Sequence, residues 1–593
     1  MRGAKVLVKV NKLPTYRTSV SNVLVIGSGA AGLRAAIAAN EAGCEVTIVG
    51  KRLRKDAHTV LAAGGINGAL ATVDAEDSWQ QHFADTMREG YFLSDPRTVE
   101  IMAQEAPGAI LELAKWGCDF AQLPDGRLDQ RFFGAHKYRR TCYAGDYTGR
   151  TILHTLVRKV EELRIAIHEY QYVTRLLVHD GICFGALAFN INTGERTVYQ
   201  ADSVVLAAGG HTRLWRRSSS RRDENTGDAF YLALQAGCEL SDMELVQFHP
   251  TGMVIPEDMA GTLVTEAVRG EGGILRNAAG ERYMERYDPE RLELSTRDRI
   301  ALANYTEIVE GRGSKNSAVF LDISHRPKEF ILKKLPRMYR QFMEALMLDI
   351  SREPMEVAPT AHYSMGGIVV EPDTHATNIA GLYAAGEATA GLHGANRLGG
   401  NSLCETVIFG RRAGEASAQY SNTLNVQMRA KSAIQAANDD LSGMIRTGGE
   451  LARPLQRAVR NTLWEDCGVV RDGKRLAKGL QRLMEISEAA QDLDVRPNSE
   501  GWQDLAMAFD LRGALTSAEA SIRGAIERRE SRGAHQRTDF PDLDESLKVN
   551  FRIRLDDNGK QLISSEPVPP ISGDLLPIVE DDWKISFQGR LLE

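Results

Sequence analysis

Val23-Leu24-Val25-Ile26-Gly27-Ser28-Gly29-Ala30-Ala31-Gly32 decides the fold of this chain. The apolar run predicts a buried strand, and the small residues from Ala30 onward predict a helix packed closely against it. Between them the Gly27-x-Gly29-x-x-Gly32 spacing permits a tight turn, close approach of backbone to a pyrophosphate, and tight packing of helix on strand. The helix start adds the positive end of a dipole for the phosphate charge. A lone GxGxxG is a weak signal; flanked in this way it reads as strand, phosphate loop and helix of a dinucleotide-binding unit.

A second strand, Glu45-Val46-Thr47-Ile48-Val49, comes where such a βαβ unit requires it. The acidic ribose ligand that usually closes this strand is replaced by Gly50-Lys51, which weakens a nicotinamide reading. Further on stand His58-Thr59 and Gly64-Gly65. The histidine can face a bound cofactor from there, and the paired glycines let backbone approach an isoalloxazine ring.

The 593 residues are too many for one ordinary domain and suggest three or four. With 43% hydrophobic and 25% charged residues the composition is that of a soluble globular protein. A net charge of −7 gives no basis for nucleic-acid binding. Seven scattered cysteines, with no CxxC and no metal spacing, predict a reducing compartment, no metal site and no clustered iron–sulfur ligation within the chain. Electrons leaving a flavin would then need another subunit. No run of about 20 apolar residues predicts a membrane span. The first twenty residues are basic, but Val6-Leu7-Val8-Lys9-Val10 fits a transit helix poorly, so residues 1–20 read as a short extension.

With the His58-Thr59 and Gly64-Gly65 stretch, four further segments carry a resemblance. They are Gln247-Phe248-His249-Pro250-Thr251-Gly252, Thr265-Glu266-Ala267-Val268-Arg269, Ser295-Thr296-Arg297-Asp298-Arg299, and Thr360-Ala361-His362 followed by His393-Gly394-Ala395-Asn396-Arg397. The chain resembles the flavoprotein subunit of succinate dehydrogenase and fumarate reductase over roughly residues 20 to 545. The resemblance implies FAD as cofactor, attached covalently to His58 through a methyl on the benzenoid edge. This chain has Asp56-Ala57 before that histidine, where the family usually has Arg-Ser.

The same resemblance implies an α/β fold: a Rossmann-like FAD-binding domain with an inserted capping domain, then a helical bundle. The strand-and-turn patterns Ser203–Gly210 and Gly381–Glu387 read as parts of one discontinuous FAD-binding domain, residues 21–250 and 351–425. Residues 251–350 would be the cap and 426–545, rich in Ala, Leu, Arg and Glu, the helical domain. A proline-bearing segment of strand-like and loop-like character, 546–593, follows.

Oxidising a dicarboxylate requires donors that hold both carboxylates, a hydride acceptor and a proton acceptor. The resemblance implies that His249, Thr265, His362 and Arg397 hold substrate, with apolar Phe133 facing a substrate that lacks an amine. A planar guanidinium suits bidentate grip of a carboxylate. Glu266 and Arg269, three apart, could be no more than a surface pair worth about 0.2–0.5 kcal/mol. The resemblance instead makes Arg297 the proton donor or acceptor, with Glu266 and Arg269 relaying. For FAD it implies Gly27, Ser28, Gly29, Ala30, Ala31, Gly32, Gly50, Lys51, His58, Thr59, Gly64, Gly65, Asp228, Glu387, Ser402 and Leu403. It further implies succinate and fumarate as substrates and an iron–sulfur subunit as immediate partner. A membrane anchor would lie beyond that partner, placing the chain peripherally on the cytoplasmic side of the cell membrane. The alternatives are a fumarate reductase working in the reductive direction, L-aspartate oxidase, and a silent electron-transfer or scaffold flavoprotein.

Overall fold

The computed structural model describes residues 16–497 and 501–580. The run Val6–Val10 and the end of the C-terminal segment lie outside the described residues. The first strand, Arg17–Ile26, starts before residue 20, so the extension is shorter than expected.

That strand lies at the centre of a seven-stranded sheet. Val23–Ile26 pair in parallel with Val46–Val49, and Arg17–Ile26 pair in parallel with Thr197–Leu206. Leu382–Ala384 add to Val204–Leu206, also in parallel. The late strand therefore completes the sheet begun at residue 17, as a discontinuous domain requires. Two antiparallel strands, Gln171–His179 and Ile182–Asn190, finish one edge. Strands Val23–Ile26 and Val46–Val49 are buried throughout, which explains why Thr47 alone breaks their apolar sequence.

Gly27 turns the chain at φ +118°, and a Cβ there would stand 2.1 Å from the Ala207 carbonyl oxygen. Only glycine serves both demands. Helix Ala30–Glu41 then packs along the long helix Asn401–Thr423. A Cβ on Gly410 or Gly414 would lie 2.6 or 2.2 Å from the carbonyl oxygens of Ala31 and Ala35. The two helices meet backbone to backbone, which explains the small residues of both.

The cap is built on a four-stranded antiparallel sheet of Val246–Met253, Met355–Ser364, Val319–Asp322 and Ile274–Arg276. Its first and last strands extend beyond 251–350 on both sides. His249-Pro250-Thr251 run inside a strand with an irregular register. The histidines of the first and last strands are thereby carried on neighbouring strands, with His249 opposite Thr360.

Helices Lys431–Gly443, Ala452–Asp466, Gly473–Ala489 and Gln503–Glu527 form the helical region. The hairpin Val549–Leu555 with Gln561–Pro567 joins Leu240–Ser241 and Gly367–Ile368 in a separate sheet, tying the C-terminal segment back to the FAD-binding part.

Candidate active site

One cleft of about 1750 Å³, counting its mouth, runs from the Gly27–Ala31 turn to the cap. With the glycine-rich turn at one end and cap residues at the other, its lining suits an extended dinucleotide with a small substrate at one end. Most of the expected site residues line it. Gly32, Gly50 and Arg269 stand behind the wall: a Cβ on Gly32 would strike the Gly27 carbonyl oxygen at 2.0 Å, and one on Gly50 would strike Ser28 Oγ at 2.6 Å. Their part is to let the wall close up.

The donor set fits FAD. Gly29, the cap residue of helix Ala30–Glu41, makes no side-chain hydrogen bond, and Ala30 N donates to Thr59 Oγ1 at 3.1 Å, so the helix start faces the cleft beside one hydroxyl, a place suited to a pyrophosphate. The second long helix, Asn401–Thr423, is capped by Gly400 at φ +91°, also without a side-chain bond, and brings Ser402 and Leu403 to the same cleft. Glu387 accepts from Ser364 N at 3.0 Å and Asn225 Nδ2 at 3.1 Å, and burial raises its carboxyl above the usual range.

At one end Lys51 occupies the place of the usual acid. Its Nζ donates to Thr226 Oγ1 at 3.2 Å, Asp228 Oδ2 at 3.2 Å and Asp510 Oδ1 at 3.1 Å. Tyr172 OH donates to the same Asp510 oxygen at 2.8 Å. The acid has not vanished; it comes from the helical region and reaches the strand end through a lysine.

His58 opens a single 3₁₀ turn, His58–Leu61, and its Nδ1 lies 3.2 Å from Glu224 Oε2. Burial alone would lower its pKa, but the bond and charge of Glu224 raise it above the ordinary value. Burial would likewise raise Glu224, yet His58 and Arg221 hold it at about 2. Arg221 bonds Glu224 Oε1 at 2.5 Å and Asp56 Oδ1 at 2.6 Å. Asp56, which departs from the family pattern, is thus part of an acid–base chain ending on the histidine ring.

The other end collects the dicarboxylate residues. Arg297 donates from Nε to Glu266 Oε2 at 2.8 Å, and its Nη2 lies 2.7 Å from the same oxygen. Burial would raise Glu266, but Arg297 and Arg269 hold it at about 2, so it is ionised. Arg269 Nη2 is 3.8 Å from Glu266, and both side chains are buried. The surface-pair alternative is therefore wrong for this pair. His249 and His362 meet edge to face at 5.2 Å between ring centres. Burial, with Arg297 and Arg269 for His249 and with His249 and Arg397 for His362, pushes both rings well below the ordinary histidine range. Arg397 lies 4.4 Å over the Tyr363 ring and bonds Ser402 Oγ at 3.0 Å. Burial and Arg297 lower it to about 9. Phe133 packs against Gly64, where a Cβ would come within 2.9 Å of its ring. Thr265 is buried on the same wall.

Sequence reasoning missed Glu224, Asp510, Tyr363 and Gln247 as parts of this constellation. Glu224 and Asp510 reach it from 166 and 459 residues away in sequence, a distance no local pattern reports. Gln247 and Tyr363 stood beside recognised histidines and were passed over as ordinary strand residues.

The family model for an FAD binding domain matches residues 22–403, and that for the fumarate reductase flavoprotein C-terminus matches residues 456–569. The chain is 45% identical to a fumarate reductase (CoM/CoB) subunit of Methanothermobacter marburgensis, over 88% of this chain and 94% of that one. It is 36% identical to the succinate dehydrogenase flavoprotein subunit of Rickettsia conorii, over 92% of this chain and 95% of that one. Its structure matches Mycobacterium smegmatis Sdh1, solved in complex with UQ1, with a TM-score of 0.86 and 38% identity, covering 94% and 96% of the two chains. The chain is an FAD-dependent oxidoreductase of the succinate dehydrogenase and fumarate reductase flavoprotein family.

Proposed function

We propose that the chain is the catalytic flavoprotein subunit of a succinate:quinone oxidoreductase, interconverting succinate and fumarate. The observation that carries this reading is the convergence of Arg297, Arg397, His249 and His362 on one end of the FAD cleft. FAD, when bound, accepts or supplies the hydride. Arg397 grips one carboxylate as a planar fork, and His249, His362 and Thr265 hold the other. The two histidines, kept neutral, act as hydrogen-bonding groups while the arginines supply the positive charge. Phe133 closes the wall with an apolar ring, which suits a substrate without an amine and disfavours aspartate.

Arg297 takes the proton from the substrate carbon as it gives one of its own to Glu266, and in the reverse direction it gives a proton to that carbon and takes one back from Glu266. Its contact with ionised Glu266 gives that proton a way onward, and Arg269 holds Glu266 from behind. His58 would hold the flavin covalently, and Nε2 is the ring nitrogen left for it, since Glu224 engages Nδ1. Electrons pass to an iron–sulfur subunit and through it to a membrane anchor, with the chain peripheral on the cytoplasmic side. The relatives are named as subunits, which supports assembly with further chains. Among the described residues no helix is long and apolar enough to cross a membrane.

The test is dye reduction by purified protein with succinate against aspartate. Succinate-dependent reduction supports the reading; aspartate-dependent reduction supports an aspartate oxidase; neither, with FAD bound, supports a silent electron-transfer or scaffold flavoprotein. Fumarate reduction as the working direction is a second reading, favoured by the name of the 45%-identical relative. A fumarate-dependent oxidation of reduced dye faster than the succinate-dependent reaction would establish it.

A further inference from the structure

We propose that Gln247 is a positioning residue that fixes the separation of Arg297 and Arg397. Its own orientation is imposed by a buried carboxyl pair, Glu89 and Asp298, acting through Asn396. The proposal rests on the dicarboxylate reading above and adds to it four residues that do not line the cleft.

Both arginines donate to one oxygen: Arg297 Nη1 lies 3.2 Å and Arg397 Nη2 3.0 Å from Gln247 Oε1. An amide carbonyl has two acceptor positions, and these two guanidiniums take both. The amide nitrogen is equally committed, donating to Asn396 Oδ1 at 2.8 Å and to the Arg397 carbonyl at 2.9 Å. Turning the amide over would set donor against donor on one side and acceptor against acceptor on the other. Its orientation is therefore fixed by its partners.

Asn396 repeats the arrangement one step further in. Its oxygen faces Gln247, and its nitrogen donates to Glu89 Oε1 at 2.7 Å and Asp298 Oδ1 at 3.0 Å. Tyr91 OH donates to the other Asp298 oxygen at 2.7 Å. Gln247 and Asn396 are fully buried, and Glu89 and Asp298 nearly so. Two carboxyl groups on one buried amide cannot both stay charged at low cost. Burial and Asp298 push Glu89 well above its ordinary range, in keeping with a proton retained by the pair.

The bridge must be neutral for a chemical reason. Two guanidiniums side by side repel, and a carboxylate between them would hold them by pairing with them. It would then compete with the substrate's own carboxylate for Arg397. A carbonyl oxygen holds both forks, adds no second carboxylate to Arg297 beside Glu266, and leaves the charge of Arg397 for the substrate. Arg397 fixes the substrate while Arg297 must reach one of its carbons, so the spacing of the two sets the reacting geometry. A displacement of about 1 Å in such a geometry costs on the order of 10²-fold in rate.

The test uses the holoenzyme with FAD bound and two readouts: succinate- or fumarate-dependent turnover, and malonate affinity read from the perturbation of flavin absorbance. Gln247→Met lowers kcat on the order of 10²-fold and weakens malonate by about tenfold or more. Gln247→Glu, which keeps the acceptor but adds charge, also weakens malonate. Glu89→Gln keeps an acceptor for Asn396 and stays close to wild type in both readouts. Glu89→Leu removes it and lowers kcat with FAD content unchanged. Gln247 variants with wild-type kcat and malonate affinity overturn the bridge. Equal behaviour of Glu89→Leu and Glu89→Gln overturns the role of the carboxyl pair. A wild-type protein that turns over neither succinate nor fumarate strikes the functional reading alone, because malonate affinity still reads the arginine pair.

Discussion

Glu266 Oε2 lies 2.7 Å from Arg297 Nη2 and 2.8 Å from Arg297 Nε, so one carboxylate oxygen faces both nitrogens of one edge of the guanidinium. If this pair moves the substrate proton, Arg297→Ala abolishes turnover while FAD stays bound. Glu266→Gln, which keeps the shape and loses the charge, slows turnover by about 10²–10⁴-fold. Steady-state kinetics with flavin content measured in parallel checks both, and substantial activity in Arg297→Ala removes the assignment.

A covalent flavin is tested by denaturing the protein in acid and looking for flavin fluorescence on the polypeptide. The expected result is fluorescence on the wild-type chain and none on His58→Ala, which still binds FAD in the folded state. Flavin released quantitatively from the wild type would show a noncovalent cofactor.

Buried histidines predict how the fold answers acid. Burial is the largest cause holding His82 and His211 at about 3 and His136 and His375 at about 4. The same cause holds His249, His362 and His535 well below their ordinary range. In the unfolded chain these rings take up protons near pH 6.5 while in the folded chain they remain neutral. The unfolded state then binds more protons, so stability is full above about pH 6.5 and falls as pH drops below it, by at most about 1.36 kcal/mol per unit for each ring. The urea midpoint at pH 5.5 is expected below that at pH 7.5; an equal or higher midpoint contradicts the buried-neutral assignment.

Asp510→Leu leaves Lys51 with one carboxylate fewer in a buried site. Removing one member of a buried ion pair costs about 3–5 kcal/mol, so the variant melts lower and is isolated with less FAD. Thermal denaturation and the ratio of flavin to protein absorbance measure the two effects. A lowered melting point with full flavin occupancy would separate the clamp from cofactor retention.

Gly414→Ala drives a methyl group into the Ala35 carbonyl oxygen, which stands 2.2 Å from the position of that carbon. Overpacking of this kind costs about 1–3 kcal/mol. Gly443→Ala, at the end of helix Lys431–Gly443 with open space around it, serves as the comparison and is expected to change stability little. Equal melting temperatures for the two variants would show that the helices separate without cost.

The Gly27–Gly32 turn was legible because its strand, loop and helix are contiguous and each part has its own composition. The discontinuous sheet was legible for a related reason: Val204–Leu206 and Leu382–Ala384 are both apolar runs ending in glycine turns, and they do pair. The edge of the cap was less so. Pro250 gave no sign of a strand, yet the irregular register accommodates it and carries His249 to its neighbour His362. Asp510, Glu224 and Asn396 could not be read at all, because their meaning lies in partners hundreds of residues away or in a second layer behind the cleft.

The bond between Lys51 and Asp510 joins residues 459 positions apart. During synthesis at about 5–20 residues per second, Asp510 is made roughly 20–90 s after Lys51. The glycine-rich turn can fold long before that, but the lysine beside it has only the carboxylate of Asp228 until residue 510 of the 593 has been made. A ribosome stalled before codon 510 would carry a nascent chain whose lysine clamp holds one carboxylate of its two.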